Sequence, residues 1–169
     1  MNIVLIGGGS RSGKSRHALA LARSRGSRLG YVATALALDQ EMRERVARHR
    51  QERGAGFVTV EEPLDVAGLL EKRADEFDAV VVDCLTLWLS NLLLNGRRDI
   101  EGEGKRLLSA ASTAPSCILL VANEVGCGIV PENPLTRRFR DWAGWLNQRA
   151  AEAASEVYWM VFGCPLRIK

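Results

Sequence analysis

The chain has 169 residues, 47% apolar and 25% charged, with a formal net charge of +3. This length suits one domain over residues 1–169, and the composition is that of an ordinary globular protein. The weak positive charge and the lack of any basic run interleaved with aromatics argue against nucleic acid as a partner, and no stretch approaches the roughly 20 apolar residues needed to span a bilayer.

The chain opens directly on an apolar run, Ile3-Val4-Leu5-Ile6, which reads as a buried strand and leaves no room for a signal peptide. A cytoplasmic location is expected. The next segment, residues 8–15, reads Gly8-Gly9-Ser10-Arg11-Ser12-Gly13-Lys14-Ser15 and fits the phosphate-binding pattern G-x-x-x-x-G-K-[ST] without a mismatch. Residues 15–25 are Ala- and Leu-rich and read as the helix that such a loop must open. The glycines let the backbone curl so that its N–H groups face phosphate oxygens, and the helix N-terminus adds the positive end of its dipole. In such a loop Lys14 reaches the β- and γ-phosphates and Ser15 ligates Mg²⁺. A nucleoside triphosphate site follows, because a plain helix-capping turn gives no reason for Lys and Ser after the second Gly.

Strands and helices then alternate. A strand is expected over 29–34, a highly charged helix over 39–53, a short strand over 57–60 and a helix over 64–74. The run 79–83 is continuously apolar until Asp83, as in a central parallel strand covered on both faces. Helices follow over 85–94 and 100–111, with a buried strand over 117–122. A long helix spans 134–155, its Pro134 tolerated in the first turn. Residues 157–162 and 166–168, separated by Gly163-Cys164-Pro165, suggest a closing hairpin. The pattern predicts an α/β fold: a P-loop NTPase-like domain with a mostly parallel central sheet, helices on both faces and a C-terminal antiparallel strand. In such sheets the ligand crevice lies outside the carboxyl ends of the strands. That rule selects the loops after Ile6, Thr34, Val60, Asp83 and Ala122.

Asp83, at a buried strand tip, suits a second Mg²⁺ anchor, with capping of the next helix as the alternative. His49 stands among Arg45, Arg48, Arg50 and Arg53. Neighbouring guanidinium charges disfavour a charged ring, which keeps a lone pair for attack on phosphorus; a solvated surface histidine is the alternative. His17, two residues past the P-loop, suits a structural role. The loop from Asn123 to Pro131 starts with two polar residues at a strand tip, is glycine-rich, and looks functional. Along 134–155, Leu135, Phe139, Trp142, Leu146 and Ala150 recur at helical spacing as a core stripe, while Arg137, Arg138, Arg140 and Arg149 are available for phosphates, a partner subunit or solvent. Asn147-Gln148 could bond a ligand. The four cysteines, Cys84, Cys117, Cys127 and Cys164, have no metal-ligand spacing and read as buried free thiols, with Cys127 more accessible.

Several segments together resemble one family, the bifunctional adenosylcobinamide kinase / adenosylcobinamide-phosphate guanylyltransferase of cobalamin biosynthesis. They are residues 7–15 (GGGSRSGKS), 31–35 (YVATA), 45–50 (RVARHR), 58–63 (VTVEEP), 80–93 (VVVDCLTLWLSNLL), 123–141 (NEVGCGIVPENPLTRRFRD) and 147–163 (NQRAAEAASEVYWMVFG). The P-loop is common to many families; the 123–141 segment with the downstream NQ is far more specific. The resemblance implies phosphorylation of the aminopropanol hydroxyl of adenosylcobinamide by ATP or GTP. It then implies transfer of GMP from GTP to that phosphate through a GMP-histidine, releasing pyrophosphate. The histidine at the matching motif position is His49, preceded here by Arg48 where some relatives carry a second histidine. Nucleotide contacts carried over are Gly8 to Ser15, Ala33, Thr34, Ala35, Arg50, Gln51, Glu52, Arg53, Glu61 and Asp83, with Glu61 against Glu62 open by one position. Lys14 and His49 are the implied catalytic pair, Ser15 and Asp83 the Mg²⁺ ligands, a corrinoid the partner substrate and a homotrimer the assembly. The alternatives are a P-loop kinase of another small alcohol with His49 structural, and a nucleotide-dependent switch without chemistry of its own.

Overall fold

The computed structural model describes residues 2–36 and 39–169; the side chains of Arg45 and Glu52 also lie outside the described set. Its centre is one seven-stranded sheet in the order β3-β2-β4-β5-β1-β6-β7. The strands are β1 (Ile3–Gly8), β2 (Leu29–Ala33), β3 (Val58–Glu61), β4 (Ala79–Asp83), β5 (Cys117–Asn123), β6 (Glu156–Val161) and β7 (Cys164–Arg167). All neighbours are parallel except β6 and β7, which pair antiparallel as the sequence suggested. The hairpin turn is tighter than expected. Val161 pairs with Cys164, so only Phe162 and Gly163 lie between, both at positive φ (50° and 83°), as a type I′ turn requires.

The apolar runs of the central strands are buried on both faces. Ile3, Leu5, Val80, Val82, Ile118 and Leu120 point into one core, shared with α3 (Val66–Arg73), α4 (Leu85–Leu94), α5 (Ile100–Thr113) and α6 (Pro134–Ala153). Val4, Ile6, Val81, Leu119 and Val121 point into the other, beneath α1 (Lys14–Arg23). The alternation follows from the period of two along a strand. Apolar on nearly all sides, α4 sits deep, with Trp88 only 1% exposed and its indole N–H donating to the Leu64 carbonyl at 2.8 Å. The remaining helix, α2 (Gln40–Arg53), is almost wholly polar.

The core stripe predicted for α6 holds from Phe139 onward: Phe139 and Trp142 pack half-buried against the core and Leu146 and Ala150 are buried, whereas Leu135 is 49% exposed. A 20-residue helix is about 30 Å long, while the neighbouring strands cover about 20 Å, so the first turns overhang the sheet. Two of the four thiols depart from or qualify the expectation of burial: Cys84 and Cys117 are buried, but Cys164 is exposed on the edge strand, as is Cys127 in its loop.

Candidate active site

At the carboxyl end of β1 the P-loop is held from several sides. Gly8 has φ 148°, and a Cβ there would lie 2.8 Å from the Met160 carbonyl oxygen, so only glycine fits. Gly13 (φ 93°) caps α1, whose first turn carries no acidic residue to offset its positive dipole end. The Gly163 N–H donates to the Ser12 carbonyl at 3.1 Å, so the C-terminal hairpin braces the loop. Lys14 is 7% exposed, and its ammonium donates to the Gly9 carbonyl at 2.5 Å. Backbone N–H groups, helix terminus and lysine thus converge as an anion grip.

Two strands along, Asp83 ends β4, and α1 lies across β4 and β5. The capping alternative for Asp83 fails, because α4 is capped by Cys84, whose Sγ accepts from the Leu87 N–H at 3.4 Å. Burial, reinforced by the Asp83 charge, pushes the Cys84 thiol up to about 11, so it stays protonated. Tyr31 donates its hydroxyl to Asp83 Oδ2 at 3.0 Å. Thr34, fully buried, locks the neighbouring loop. Its Oγ1 accepts from the Cys84 N–H at 2.7 Å and donates to the Cys84 carbonyl at 2.8 Å. Asn91 Nδ2 donates to the carbonyls of Thr34 (2.8 Å) and Pro63 (3.1 Å), tying the tips of β2 and β3 together. Ala33, Thr34 and Ala35 are therefore held against the Asp83 tip.

α2 is capped by Asp39, whose Oδ1 accepts from the Met42 N–H at 2.7 Å. Met42, Val46, His49 and Arg53, spaced i, i+4, i+7 and i+11, share its inner face. Among the described side chains of α2 only Arg53 is buried, 5% exposed, with its guanidinium 3.9 Å over the Tyr31 ring. Arg23 at the end of α1 donates to the Arg53 carbonyl at 3.0 Å. Arg50 pairs with Glu61. Glu62 is committed elsewhere, accepting from the Leu64 and Asp65 N–H groups at 2.9 and 2.8 Å, so it is Glu61 that faces α2. Gln51 is exposed, and the Glu52 side chain lies outside the described residues. A cleft of about 380 Å³ separates α2 from β3, lined by Arg43, Val46, Ala47, Arg50 and Glu61. The site thus has two ends. Four strand spacings, about 19 Å, separate β3 from β1 and its P-loop.

The loop after β5 belongs to the P-loop end. The Glu124 N–H donates to the Gly8 carbonyl at 3.1 Å, and the Asn123 N–H donates to Thr86 Oγ1 at 2.7 Å. Glu124 also accepts from the Gly126 N–H, and Arg140 donates to the Gly126 carbonyl at 2.8 Å. Of the other arginines on α6, Arg137 braces the carbonyls of Pro131 (3.0 Å) and Glu132 (2.5 Å), and Arg149 pairs with Glu152 at 2.6 Å. His17 packs edge-on to Tyr158 at 4.9 Å, and burial pulls its pKa down. Sequence reasoning passed over Tyr31, Asn91 and Thr86. A lone Asn within the apolar run 85–94 was the available signal for Asn91; Tyr31 gave none beyond its place in a quoted segment.

Among the described residues no group of three or more His, Cys, Asp or Glu side chains is placed to hold a metal. Asp83 and Ser15 offer a carboxylate and a hydroxyl, oxygen groups of the kind Mg²⁺ takes.

Solved structures of similar fold include the RadB recombinase, with a TM-score of 0.55 at 15% identity, covering 93% of this chain and 73% of that one. Another is the VirB11 ATPase from the Brucella suis type IV secretion system, with a TM-score of 0.50 at 14% identity, covering 99% and 48%. Fold and loop together define a P-loop NTPase-like protein. The family model for cobinamide kinase / cobinamide phosphate guanyltransferase matches residues 4–168, and the chain belongs to that family. It is 47% identical over 166 residues to the bifunctional adenosylcobalamin biosynthesis protein CobP of Pseudomonas aeruginosa, covering 98% of this chain and 96% of that one. It is 40% identical over 181 residues to the bifunctional protein CobU of Escherichia coli, covering 99% of each.

Proposed function

We propose that one catalytic domain, residues 1–169, performs both reactions of this family with the residues described above. In the first, the P-loop holds ATP or GTP, Lys14 neutralises charge on the β- and γ-phosphates, and the aminopropanol hydroxyl of adenosylcobinamide takes the γ-phosphoryl group. In the second, an imidazole nitrogen of His49 attacks the α-phosphorus of GTP. The N–P bond forms, the bond to the bridging oxygen breaks, and pyrophosphate leaves. A phosphate oxygen of adenosylcobinamide phosphate then attacks the same phosphorus, frees the imidazole and gives adenosylcobinamide-GDP. Two displacements, each with a good leaving group, replace one harder exchange.

Ser15 and Asp83 would hold Mg²⁺, which when bound would supply charge neutralisation on the phosphate oxygens. Arg50, Gln51, Glu52, Arg53 and Glu61 contact the nucleotide near His49, with Ala33, Thr34 and Ala35 beside them. About 19 Å along the carboxyl edge of the sheet separates β3 from β1 and its P-loop, so the guanylyl step requires His49 and the triphosphate to be brought together. The working assembly is a homotrimer in the cytoplasm; among the described residues no helix is long and apolar enough to cross a membrane.

The observation that carries this reading is the presence, on one sheet edge, of a complete P-loop and a helix presenting His49 on its inner face. The test is incubation with GTP labelled at the α-phosphate. Acid-labile, base-stable label on His49, with products of adenosylcobinamide identified by mass, supports it. Kinase turnover without any such label leaves His49 structural and rejects the second half.

A further inference from the structure

Tyr31 lies in neither the P-loop nor the histidine helix, yet the histidine helix, through Arg53, and the Asp83 strand tip both meet on it. Its ring is 4% exposed and is clamped on two sides, by the Arg53 guanidinium at 3.9 Å and edge-on by Phe57 at 6.4 Å. So held, the hydroxyl has one direction to point, and it donates to Asp83 Oδ2 at 3.0 Å. A carboxylate at a strand tip is otherwise free to rotate about its last torsion, which is broad. A bond to one oxygen fixes that rotation and sets where the other oxygen faces. Phenylalanine would fill the same apolar space, so packing alone gives no reason for a buried hydroxyl, whose desolvation has a cost unless it is bonded.

We propose that Tyr31 is a positioning residue of this enzyme, its clamped hydroxyl fixing the Asp83 carboxylate in the orientation that receives Mg²⁺. This rests on the assignment of Asp83 as metal ligand. One metal arm then serves both reactions, so loss of the hydroxyl shifts the metal requirement of both together.

The test is Tyr31→Phe in the full chain, with Asp83→Asn alongside. Mn²⁺ binding is followed by electron paramagnetic resonance in the presence of guanosine 5′-(α,β-methylene)triphosphate, which blocks guanylyl transfer. Loss of one hydrogen bond to a charged group is expected to raise the Mn²⁺ dissociation constant roughly tenfold, with metal-free nucleotide affinity unchanged. In turnover, KM for Mg²⁺ rises by the same factor in both half-reactions while kcat at saturating Mg²⁺ stays near wild type. If Asp83→Asn weakens Mn²⁺ binding and Tyr31→Phe does not, the positioning role is overturned with the metal assignment intact. Lower kcat at unchanged KM for Mg²⁺ also overturns it. Unchanged Mn²⁺ affinity in Asp83→Asn overturns the metal assignment itself.

Discussion

The two ends of the sheet edge are built on opposite plans. At the β1 end nearly every group is fixed by backbone. The P-loop is pinned by Gly8 against β6, braced by the hairpin at Gly163 and joined to the β5 loop through Glu124. At the β3 end a polar helix has, among its described side chains, one that is buried, Arg53, together with a surface ion pair, Arg50–Glu61, and a cleft beneath it. A surface pair of that kind contributes at most about 1 kcal/mol. Gripping a triphosphate needs donors already in place before the ligand arrives. In the proposed reading the β1 end grips the triphosphate and the β3 end presents His49.

Removing one function from each end breaks the contrast most sharply. His49→Ala is expected to abolish the GMP adduct entirely while leaving phosphorylation of adenosylcobinamide within a few-fold of wild type, measured with labelled GTP and by product mass. Equal loss of both reactions would show that the ends are not separable. Lys14→Ala is expected to lower both reactions by about 10²- to 10³-fold, since the charge it neutralises lies on the shared triphosphate. Gly8→Ala places a Cβ against the Met160 carbonyl at a backbone angle side chains rarely adopt. It should cost about 1–3 kcal/mol by denaturant unfolding and weaken nucleotide binding. Asn91→Leu orphans the buried carbonyls of Thr34 and Pro63 and should cost about 1–3 kcal/mol, with loosening confined to the β2 and β3 tips by hydrogen exchange.

The smallest effect is a pH dependence at the rigid end. Burial holds the His17 pKa below its ordinary 6.5, so the unfolded chain binds that proton more readily than the folded one. The stability contributed by the neutral ring is complete above pH 6.5 and is lost as pH falls below it. Unfolding measured at pH 5 and pH 8 should show a smaller difference in His17→Leu than in wild type.

Much of this was legible in the residues. The P-loop lies on a local run whose spacing carries its own mechanism. The strands 79–83 and 117–122 announced themselves as unbroken apolar stretches, and the alternation of elements required a mostly parallel sheet. Leu135 misled, because helical periodicity says which face of α6 is apolar but not where the sheet beneath it stops. Glu61 and Glu62 were indistinguishable along the chain; only the turn into α3 shows that Glu62 bonds backbone and Glu61 faces Arg50. Arg53 was expected among the nucleotide contacts, but its burial over Tyr31 was not legible, because it depends on a strand more than twenty positions earlier.

Taken alone, the sequence determined the elements, their parallel arrangement and the identity of the phosphate loop, because each of these is written in short-range periodicity and local backbone requirements. Tertiary structure decided the order of strands along the edge, and hence the distance between His49 and the P-loop. It also decided that Cys84 rather than Asp83 caps α4, and that Tyr31 stands between Arg53 and Asp83. Those facts arise from pairings between residues far apart in the chain, and burial on both faces gives parallel strands similar apolar sequences whatever their neighbours.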